Sequence, residues 1–349
     1  MTTWLYAGVD GGGTGCRARI YQADGTPLGQ GHGGRANLLL GVESVRQSVD
    51  DAIAQALKHS GLSPDDASRL KVGLALASAE HHAAYEAFLA LPHPYATQVL
   101  NTDALGACLA VNQGKDAGVV IAGTGSCGLA WQNQTITAYG GHEFPISDQG
   151  SGARLGLAAL QHTYNVRQGW CAPSALSQRI DDFFSASTAP TNTLDALQTF
   201  SQQAKPGDYA QFARHVFDCA QQDDAASHAL LAQTASEISL LLAAVARHAT
   251  PRLSLMGSIG LHIRPWLPDE WQSQLAAPVG DALDGARLIA CHDYALYSHP
   301  LEKINNAGDI TDIILSQILR QSRCMQRHFP RWRPFSSPRQ LLTPHPPPP

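Results

Sequence analysis

The stretch Trp4-Leu-Tyr-Ala-Gly-Val-Asp-Gly-Gly-Gly-Thr14 carries the clearest structural signal in this chain, an apolar run that ends at an aspartate and three glycines. A short apolar run bounded by turn residues is typical of a buried strand. Alternating residues follow at Cys16–Tyr21, and a third short run ends at Gly29. We therefore predict a meander of three strands, with the glycine turn between the first two.

The same pattern recurs later in the chain. An apolar run at Ala117–Ala122 leads into the turn Gly123-Thr-Gly-Ser126, and two further runs cover Cys127–Trp131 and Thr135–Tyr139. Such self-similarity indicates a duplicated fold. Around both units, strand-like runs alternate with segments of helical periodicity, such as residues 42–57, which favours an α/β fold with parallel strands in each sheet.

The length of 349 residues suits about two domains of ordinary size. We place the first domain at residues 1–114 and the second at 115–291, with a last helix near 280–291 that packs back on the first domain. Residues 292–349 form an extension that ends in four prolines, and its composition predicts partial disorder.

Composition argues against several classes of protein. The net charge is −5 and the pI about 6.3, so the chain lacks the basic surface that dominates nucleic-acid affinity. No apolar run reaches the ~18 residues needed to cross a membrane, and the N-terminus resembles no secretion signal, so we expect a cytoplasmic protein without a membrane partner. The seven cysteines form no C-x-x-C pair and the histidines show no ligand spacing, which argues against a disulfide framework or a zinc site.

Both glycine turns have the composition of phosphate-binding loops, because glycine lets backbone N–H groups approach a phosphate closely. Asp10 heads the first turn and adds a carboxylate suited to Mg²⁺ or one of its waters. A G-x-x-x-x-G-K-[ST] motif is absent from the sequence, which excludes a P-loop NTPase. Gly123–Gly128 matches G-x-G-x-x-G, with Glu143 twenty residues after the first glycine, but a polar turn follows where a dinucleotide site needs a helix.

A longer series of motifs resembles a known family. The motifs are, in order, Val9-Asp-Gly-Gly-Gly-Thr14, Asn101-Thr-Asp103, Ile121-Ala-Gly-Thr-Gly-Ser126, Ser147-Asp-Gln-Gly-Ser-Gly152 and Leu255-Met-Gly-Ser258. Over residues 4 to about 290 the chain is similar to the BadF/BadG/BcrA/BcrD ATPase family of the actin/hexokinase/Hsp70 superfamily, in particular to bacterial glucosamine and N-acetylglucosamine kinases. The resemblance implies two ribonuclease-H-like (actin-like ATPase) domains that close over ATP and an amino sugar in an interdomain cleft.

The resemblance also implies which residues bind ATP and Mg²⁺. Asp10 corresponds to the acid that acts on magnesium, through water. The positions that match the two phosphate motifs and the adenosine motif are Gly11, Gly12, Gly13 and Thr14; Gly123, Thr124, Gly125 and Ser126; and Gly257 and Ser258. In the adenosine motif Ser258 replaces the usual second glycine, which leaves the contacts to the purine open.

The resemblance further implies that Asn37 and Asp148 bind the sugar, and that Asp103 contacts it as the catalytic carboxylate. Phosphoryl transfer to an alcohol independently calls for such a group, because a carboxylate accepts the hydroxyl proton and an ordinary ionised Asp suffices. Related N-acetylglucosamine kinases often have a Trp before the second acid, and here it is missing. We expect Glu143 to meet a C2 ammonium instead, which slightly favours glucosamine over N-acetylglucosamine.

Two other functions stay open at this point. Related activators of 2-hydroxyacyl-CoA dehydratases are ATPases with an iron–sulfur cluster between subunits, and Cys16 and Cys127 each follow a glycine turn and could approach one another. A non-catalytic sugar sensor is the second alternative, although a sensor of the repressor type should begin with a DNA-binding helix pair. A homodimer is compatible with the kinase, and the sequence does not determine the oligomeric state.

Overall fold

The computed structural model describes residues 4–187 and 193–296. All of these described residues belong to one compact unit of the chain. Residues 297–349, and with them most of the predicted extension, lie outside the described residues.

The first sheet has five strands in the order β3-β2-β1-β4-β5. β1 pairs antiparallel with β2 and parallel with β4, while β3 and β5 extend the two sides. This confirms the predicted meander and the parallel portion of the sheet. The strands are β1 (Leu5–Gly11), β2 (Cys16–Tyr21), β3 (Pro27–Gly33), β4 (Leu70–Leu76) and β5 (Thr97–Thr102).

The second sheet repeats this arrangement with four strands in the order β8-β7-β6-β9. β6 pairs antiparallel with β7 and parallel with β9, as β1 pairs with β2 and β4. The two glycine turns therefore occupy the same position, between the first two strands of each sheet, and the predicted duplication is confirmed. The strands are β6 (Ala117–Ala122), β7 (Ser126–Gln132), β8 (Thr135–Gly140) and β9 (Leu253–Met256).

Helices flank both sheets. The described residues form α1 (Val42–His59), α2 (His82–Leu89), α3 (Asp103–Val111), α4 (Gly152–Arg167), α5 (Ala175–Ser187), α6 (Thr193–Gln203), α7 (Pro206–Ala210), α8 (Ala213–Ala220), α9 (Ala225–Ala246), α10 (Ser258–Ile263), α11 (Asp269–Gln274) and α12 (Ala282–His292). The apolar spacing of residues 209–221 predicts one continuous helix, but the structure divides this stretch between α7 and α8. The sequence pattern also did not predict α6, which has a buried apolar residue, Leu197.

The last helix, α12, packs on the first sheet although it follows the second sheet in sequence. Its approach is so close that a Cβ atom at Gly8 would lie 2.0 Å from the carbonyl oxygen of Leu283, and one at Gly73 would lie 1.9 Å from that of Ala286. Only glycine at these two strand positions permits that separation. The helix therefore covers β1 and β4, the strands that end at the first glycine turn and the loop beside it.

Helix α9 is the one described helix with the length and composition of a membrane span, 22 residues with a mean hydropathy of 1.6 in its most apolar window. Polar residues such as His228 and Glu237 interrupt its sequence, and the core helix of a globular protein can have the same mean hydropathy. The helix packs across β6 and β7 and against α4 and α8. Leu231, Ile238 and Leu242 lie in the apolar core of this half, and burial in that core explains the composition.

Candidate active site

The first glycine turn follows directly from the end of β1. Two backbone hydrogen bonds fix the first residues of the turn. Ala77 N–H donates to the carbonyl of Gly11, and Ala36 N–H donates to that of Gly12, both at 2.9 Å. A Cβ atom at Gly12 or Gly13 would have no protein atom within 4 Å. The packing of the protein does not require these two glycines, and their lack of side chains leaves the backbone open to a ligand.

A cavity of about 410 Å³ lies over this turn, and Asp10 and Asp103 both line it. The two residues are distant in sequence, but one lies at the end of β1 and the other follows β5. β1, β4 and β5 run parallel, so their C-terminal ends meet at one edge of the sheet, where α/β proteins commonly bind ligands. Thr14, Arg17 and His32 also line the cavity.

Arg17 is a cavity residue that the sequence analysis missed. Its guanidinium donates to the carboxylate of Asp10 at 2.6 Å. The two residues are direct partners in the antiparallel pairing of β1 with β2. The signal was present in the sequence, because a four-residue turn between residues 11 and 16 sets positions 10 and 17 opposite each other. The proposed magnesium ligand is thus already partnered by a cation.

Asp103 is the first residue of α3. Thr102 caps this helix by accepting the N–H of Leu105 at 3.1 Å, and the carboxylate of Asp103 accepts the N–H of Ala104 at 2.8 Å. Asp103 is exposed to the cavity that it lines, while the protein around the cavity partly desolvates its carboxyl group. This desolvation raises its pKa to about 6; the hydrogen bond from Ala104 opposes the rise, and the negative charges of Asp10 and Glu80 add to it. The carboxylate is mostly ionised at neutral pH and more basic than an ordinary aspartate.

The second glycine turn is held against the start of α4. Gly152 N–H donates to the carbonyl of Gly123 at 2.7 Å, and Ala153 N–H donates to that of Thr124 at 3.1 Å. A Cβ atom at Gly123 would meet no protein atom within 4 Å, as at Gly12 and Gly13. Both turns therefore expose glycine backbone where the surrounding packing would admit a side chain.

Asp148 lies behind the second turn. Its carboxylate accepts the N–H of Ser126 at 3.1 Å, and the Ser126 hydroxyl donates to the carbonyl of Gln149 at 2.6 Å. Burial raises the pKa of Asp148, the bond from Ser126 lowers it, and the charge of Glu143 raises it again. In this arrangement Asp148 supports the turn, which is a role that sequence reasoning did not assign to it.

The other two predicted sugar-binding residues, Asn37 and Glu143, lie on loops and are not among the residues that line the cavity over the first turn. Asn37 begins a short 3₁₀ helix and its side-chain oxygen accepts the N–H of Leu39 at 2.9 Å. Its backbone forms a bridge with Ala77, in the loop after β4. Glu143 follows β8, is well exposed, and lies 3.7 Å from His81. This contact joins loops that follow strands of different sheets.

The predicted adenosine motif adjoins the second turn. Gly257 has φ 89° and precedes α10, which begins at Ser258. A Cβ atom at Gly257 would lie 2.3 Å from the carbonyl oxygen of Ala122, the last residue before the second turn. The positive φ and this close approach both require glycine there, and they hold α10 beside the turn.

The electrostatics of Cys127 link acids from the two sheets. Burial raises the pKa of its thiol to about 12, and the charges of Asp103, Asp148 and Glu80 add to the rise. Asp103 follows β5 of the first sheet and Asp148 follows β8 of the second. Carboxylates from both sheets therefore raise the pKa of the same thiol, that of Cys127. Glu80, in the loop after β4, had no distinguishing sequence signal.

Cys16 and Cys127 lie in different apolar clusters. Cys16 is buried in the core of the first sheet, while Cys127 packs against the cluster that contains α3 and α12. Burial raises the pKa of Cys16 to about 12 as well. Both sites thus disfavour the thiolate form that ligates a metal. Within residues 4–187 and 193–296, no three His, Cys, Asp or Glu side chains are grouped to hold a metal ion.

Three comparisons with known proteins agree with this geometry. The model of the BadF/BadG/BcrA/BcrD ATPase family matches residues 7–263. The glucosamine kinase GspK of Vibrio cholerae serotype O1 is 42% identical over 285 residues, which cover 82% of this chain and 95% of that protein. A crystal structure from Chromobacterium violaceum, provisionally described as an N-acetylglucosamine kinase, is 30% identical, covers 83% of this chain and all of its own, and superposes with a TM-score of 0.76.

A more distant structure from Porphyromonas gingivalis, provisionally assigned the same activity, has a TM-score of 0.57 at 19% identity and shares the fold. These findings confirm the resemblance drawn from the motifs. They also agree with the duplicated α/β topology, which is that of the actin-like ATPases. By its sequence match and its two repeated sheets, the chain belongs to the BadF/BadG/BcrA/BcrD ATPase family.

Proposed function

We propose that this protein is an ATP-dependent amino-sugar kinase, which transfers the γ-phosphate of ATP to the 6-hydroxyl of D-glucosamine or N-acetyl-D-glucosamine. The observation that carries the proposal is the shared cavity of Asp10 and Asp103, beside a glycine turn with open backbone. The 42% identity to a glucosamine kinase supports the class of substrate. Residues 1–114 and 115–291 act as the two lobes of a soluble, cytoplasmic enzyme.

Asp103 is the catalytic base of this proposal. Transfer of a phosphoryl group to an alcohol has a loose transition state, so the protein contributes mainly positioning, charge stabilisation and a proton acceptor. A carboxylate with a pKa near 6 is ionised at neutral pH and accepts the hydroxyl proton more readily than one near 4. Because Asp103 begins α3 and is bonded to Ala104, its carboxylate has a defined position toward the cavity.

The exposed backbone of the two glycine turns fits the phosphates of a nucleoside triphosphate. When bound, ATP would supply the phosphoryl group and Mg²⁺ would neutralise part of the phosphate charge. Gly13 presents its N–H group to the phosphates in the first turn, and Thr124 and Gly125 do so in the second, because the N–H groups of Gly12, Gly123 and Ser126 already donate within the protein. Asp10 is the magnesium ligand, through water, and Gly257 and Ser258 adjoin the adenosine.

Glu143 is the proposed discriminator between the two sugars. Its carboxylate is well exposed and already near a basic side chain, His81, at 3.7 Å. A protonated C2 amine would form an ion pair there, which a neutral N-acetyl group cannot form. Asn37 and Asp148 complete the sugar site, with Asp148 also supporting the second turn. We therefore expect a modest preference for glucosamine.

A coupled ADP-release assay over glucosamine, N-acetylglucosamine and glucose tests the proposal. The expected result is ADP formation that depends on an amino sugar, with a product that phosphorus NMR identifies as the 6-phosphate. ATP hydrolysis without sugar by a protein that contains iron would support the dehydratase activator instead. Sugar binding without any ADP release would support the sensor.

The Glu143→Gln variant separates the two sugars in the same assay. We expect kcat/KM for glucosamine to fall about ten- to a hundredfold and that for N-acetylglucosamine to change less, because a hydrogen bond to a charged group contributes roughly 1.5–3 kcal/mol. Glu86, an exposed residue of α2, provides the matched control as Glu86→Gln. A large preference of the wild type for the acetylated sugar would remove the role of Glu143.

A further inference from the structure

The loop that supports the second glycine turn is itself attached to a distant helix. Glu237, on α9, accepts the backbone N–H of Gly150 at 2.7 Å. The other carboxylate oxygen of Glu237 accepts the side-chain amide of Gln233, one helical turn earlier, at 3.1 Å. The two residues of the main contact are 87 positions apart in sequence, so the bond exists only in the folded protein.

Gly150 depends on this contact more than an exposed loop residue would. It is buried, so its N–H has little access to water, and a buried donor without a partner is unfavourable. Its φ is 77°, and a Cβ atom there would lie 2.5 Å from the side chain of Ile238. The loop backbone is therefore pressed against α9 next to Glu237, with one acceptor for the N–H group.

The neighbours of Gly150 in the loop hold Ser126 from two sides. Asp148 accepts the Ser126 N–H and the carbonyl of Gln149 accepts its hydroxyl. Ser151, on the other side, begins α4 by accepting the N–H of Arg154 at 3.2 Å. A displacement of Gly150 would thus shift both groups that position the last residue of the second turn.

We propose that Glu237 is a positioning residue for nucleotide binding, which holds the loop 147–151 and, through it, the second glycine turn. The inference rests on the proposed function, in which that turn binds phosphate. Glu237 is not a catalytic residue, because it acts through the backbone of Gly150. Helix α9 thereby fixes the geometry of the second glycine turn. A binding site whose hydrogen-bond donors are already in position loses less free energy to ordering when the ligand binds.

Replacement by alanine and by glutamine separates this role from a general effect on folding. Glu237→Gln keeps an oxygen that can accept the Gly150 N–H, so we expect it to retain KM for ATP within about twofold. Glu237→Ala removes the acceptor, and we expect KM for ATP to rise about five- to twentyfold, the range for a lost hydrogen bond that helps to order a binding site, with a smaller change in KM for the sugar.

Thr234→Val is the matched control. The Thr234 hydroxyl donates to the carbonyl of Leu230 within α9 at 2.9 Å, so this variant removes a side-chain hydrogen bond from the same helix without touching the loop. We expect it to lower the melting temperature about as much as Glu237→Ala while leaving KM for ATP unchanged. An equal rise in KM for ATP in both variants would show a structural effect only and would overturn the proposal.

Hydrogen exchange measured by mass spectrometry provides a readout that does not require catalysis. In Glu237→Ala the peptides that contain Gly150 and Ser126 should exchange faster, whereas in Glu237→Gln and Thr234→Val they should match the wild type. Unchanged protection of Ser126 in Glu237→Ala would overturn the proposal. If the wild type phosphorylates no sugar, the proposed function fails, but calorimetric titration of the same variants with a non-hydrolysable ATP analogue still decides the role of Glu237.

Discussion

Arg17 pairs with Asp10 at 2.6 Å, directly across the hairpin that carries the first glycine turn. The pair is partly exposed, with 47% of the Arg17 side chain and 22% of the Asp10 side chain accessible. Arg17 therefore competes with a metal ion for the carboxylate proposed to act on magnesium. An exposed ion pair of this kind contributes at most about 1 kcal/mol, so the competition can be overcome.

Replacing Arg17 by methionine should make Asp10 more available to magnesium. We expect the Mg²⁺ concentration that gives half-maximal velocity to fall about two- to fivefold, which corresponds to the loss of an exposed ion pair. The measurement is a titration of initial rate with Mg²⁺ at a fixed ATP concentration. A requirement that rises or stays the same would show that the ion pair does not control access of the metal to Asp10.

Replacing Asp103 by asparagine should separate catalysis from stability. We expect turnover to fall about 10²- to 10⁴-fold, the usual contribution of a general base, while an ATP analogue still binds. Because the ionised carboxylate is desolvated in the folded state, its removal should leave the melting temperature at pH 7.5 equal or higher. Near-normal turnover, measured by ADP release, would remove Asp103 as the base.

The pH dependence follows from the raised pKa of Asp103. The ordinary pKa of 3.8 rises to about 6 in the folded protein, and the base must be ionised to accept a proton. We therefore expect kcat/KM for the sugar to be level above pH 6 and to fall tenfold per pH unit below it, after correction for the ionisation of ATP. A rate that stays level down to pH 4.5 would contradict this assignment.

The same shift predicts a difference in stability between wild type and Asp103→Asn. The folded state binds the proton of Asp103 more tightly than the unfolded state does, so the ionised group opposes folding at pH values above about 6. This cost is relieved as the pH falls from about 6 toward 4. If Asp103→Asn melts at a higher temperature than the wild type, the difference should therefore shrink as the pH falls from about 6 to 4. Thermal unfolding of both proteins at several pH values measures it.

Alanine at Gly12 or Gly13 should impair nucleotide binding without unfolding the protein. Neither position has a positive φ, and a Cβ atom at either meets no protein atom within 4 Å. We expect KM for ATP to rise at least tenfold while the melting temperature stays the same or rises slightly, because alanine restricts the unfolded chain. Gly207 in α7 has the same open surroundings, so Gly207→Ala is the control, which should change neither quantity by much.

Replacing Gly73 by alanine should lower the stability of the fold. The added Cβ would lie 1.9 Å from the carbonyl oxygen of Ala286, so α12 would have to move away from β4. Overpacking of this kind costs about 1–3 kcal/mol or more of unfolding free energy, which urea denaturation measures. An unchanged midpoint would mean that α12 is not held against the first sheet as described.

The strands and turns of both sheets were predictable because their signals are local. An apolar run that ends in Asp10 and glycines specifies a strand and its turn within a dozen residues, and the repeat at residues 117–126 does the same. Helix ends were less well predicted, since the apolar face of residues 209–221 does not show the break between α7 and α8. Pattern alone also left α6 unassigned.

The candidate site was predicted in part. Asp10, Asp103 and both glycine turns were found from motif spacing, and the structure brings the first turn and the two acids to one cavity. Arg17, Glu80 and Glu237 were missed, because an arginine or a glutamate in a polar stretch resembles any solvated residue. Their contacts depend on which strand, loop or helix lies opposite.

By itself the sequence determined the two strand-turn units, their repetition and the positions of the two glycine turns, because backbone sterics and apolar periodicity act over short distances. The tertiary structure alone decided that α12 returns to Gly8 and Gly73, that Asp10 and Asp103 share a cavity, and that Glu237 meets Gly150. Such contacts arise when distant surfaces pack to full density, and the fit between two surfaces is a property of neither segment alone.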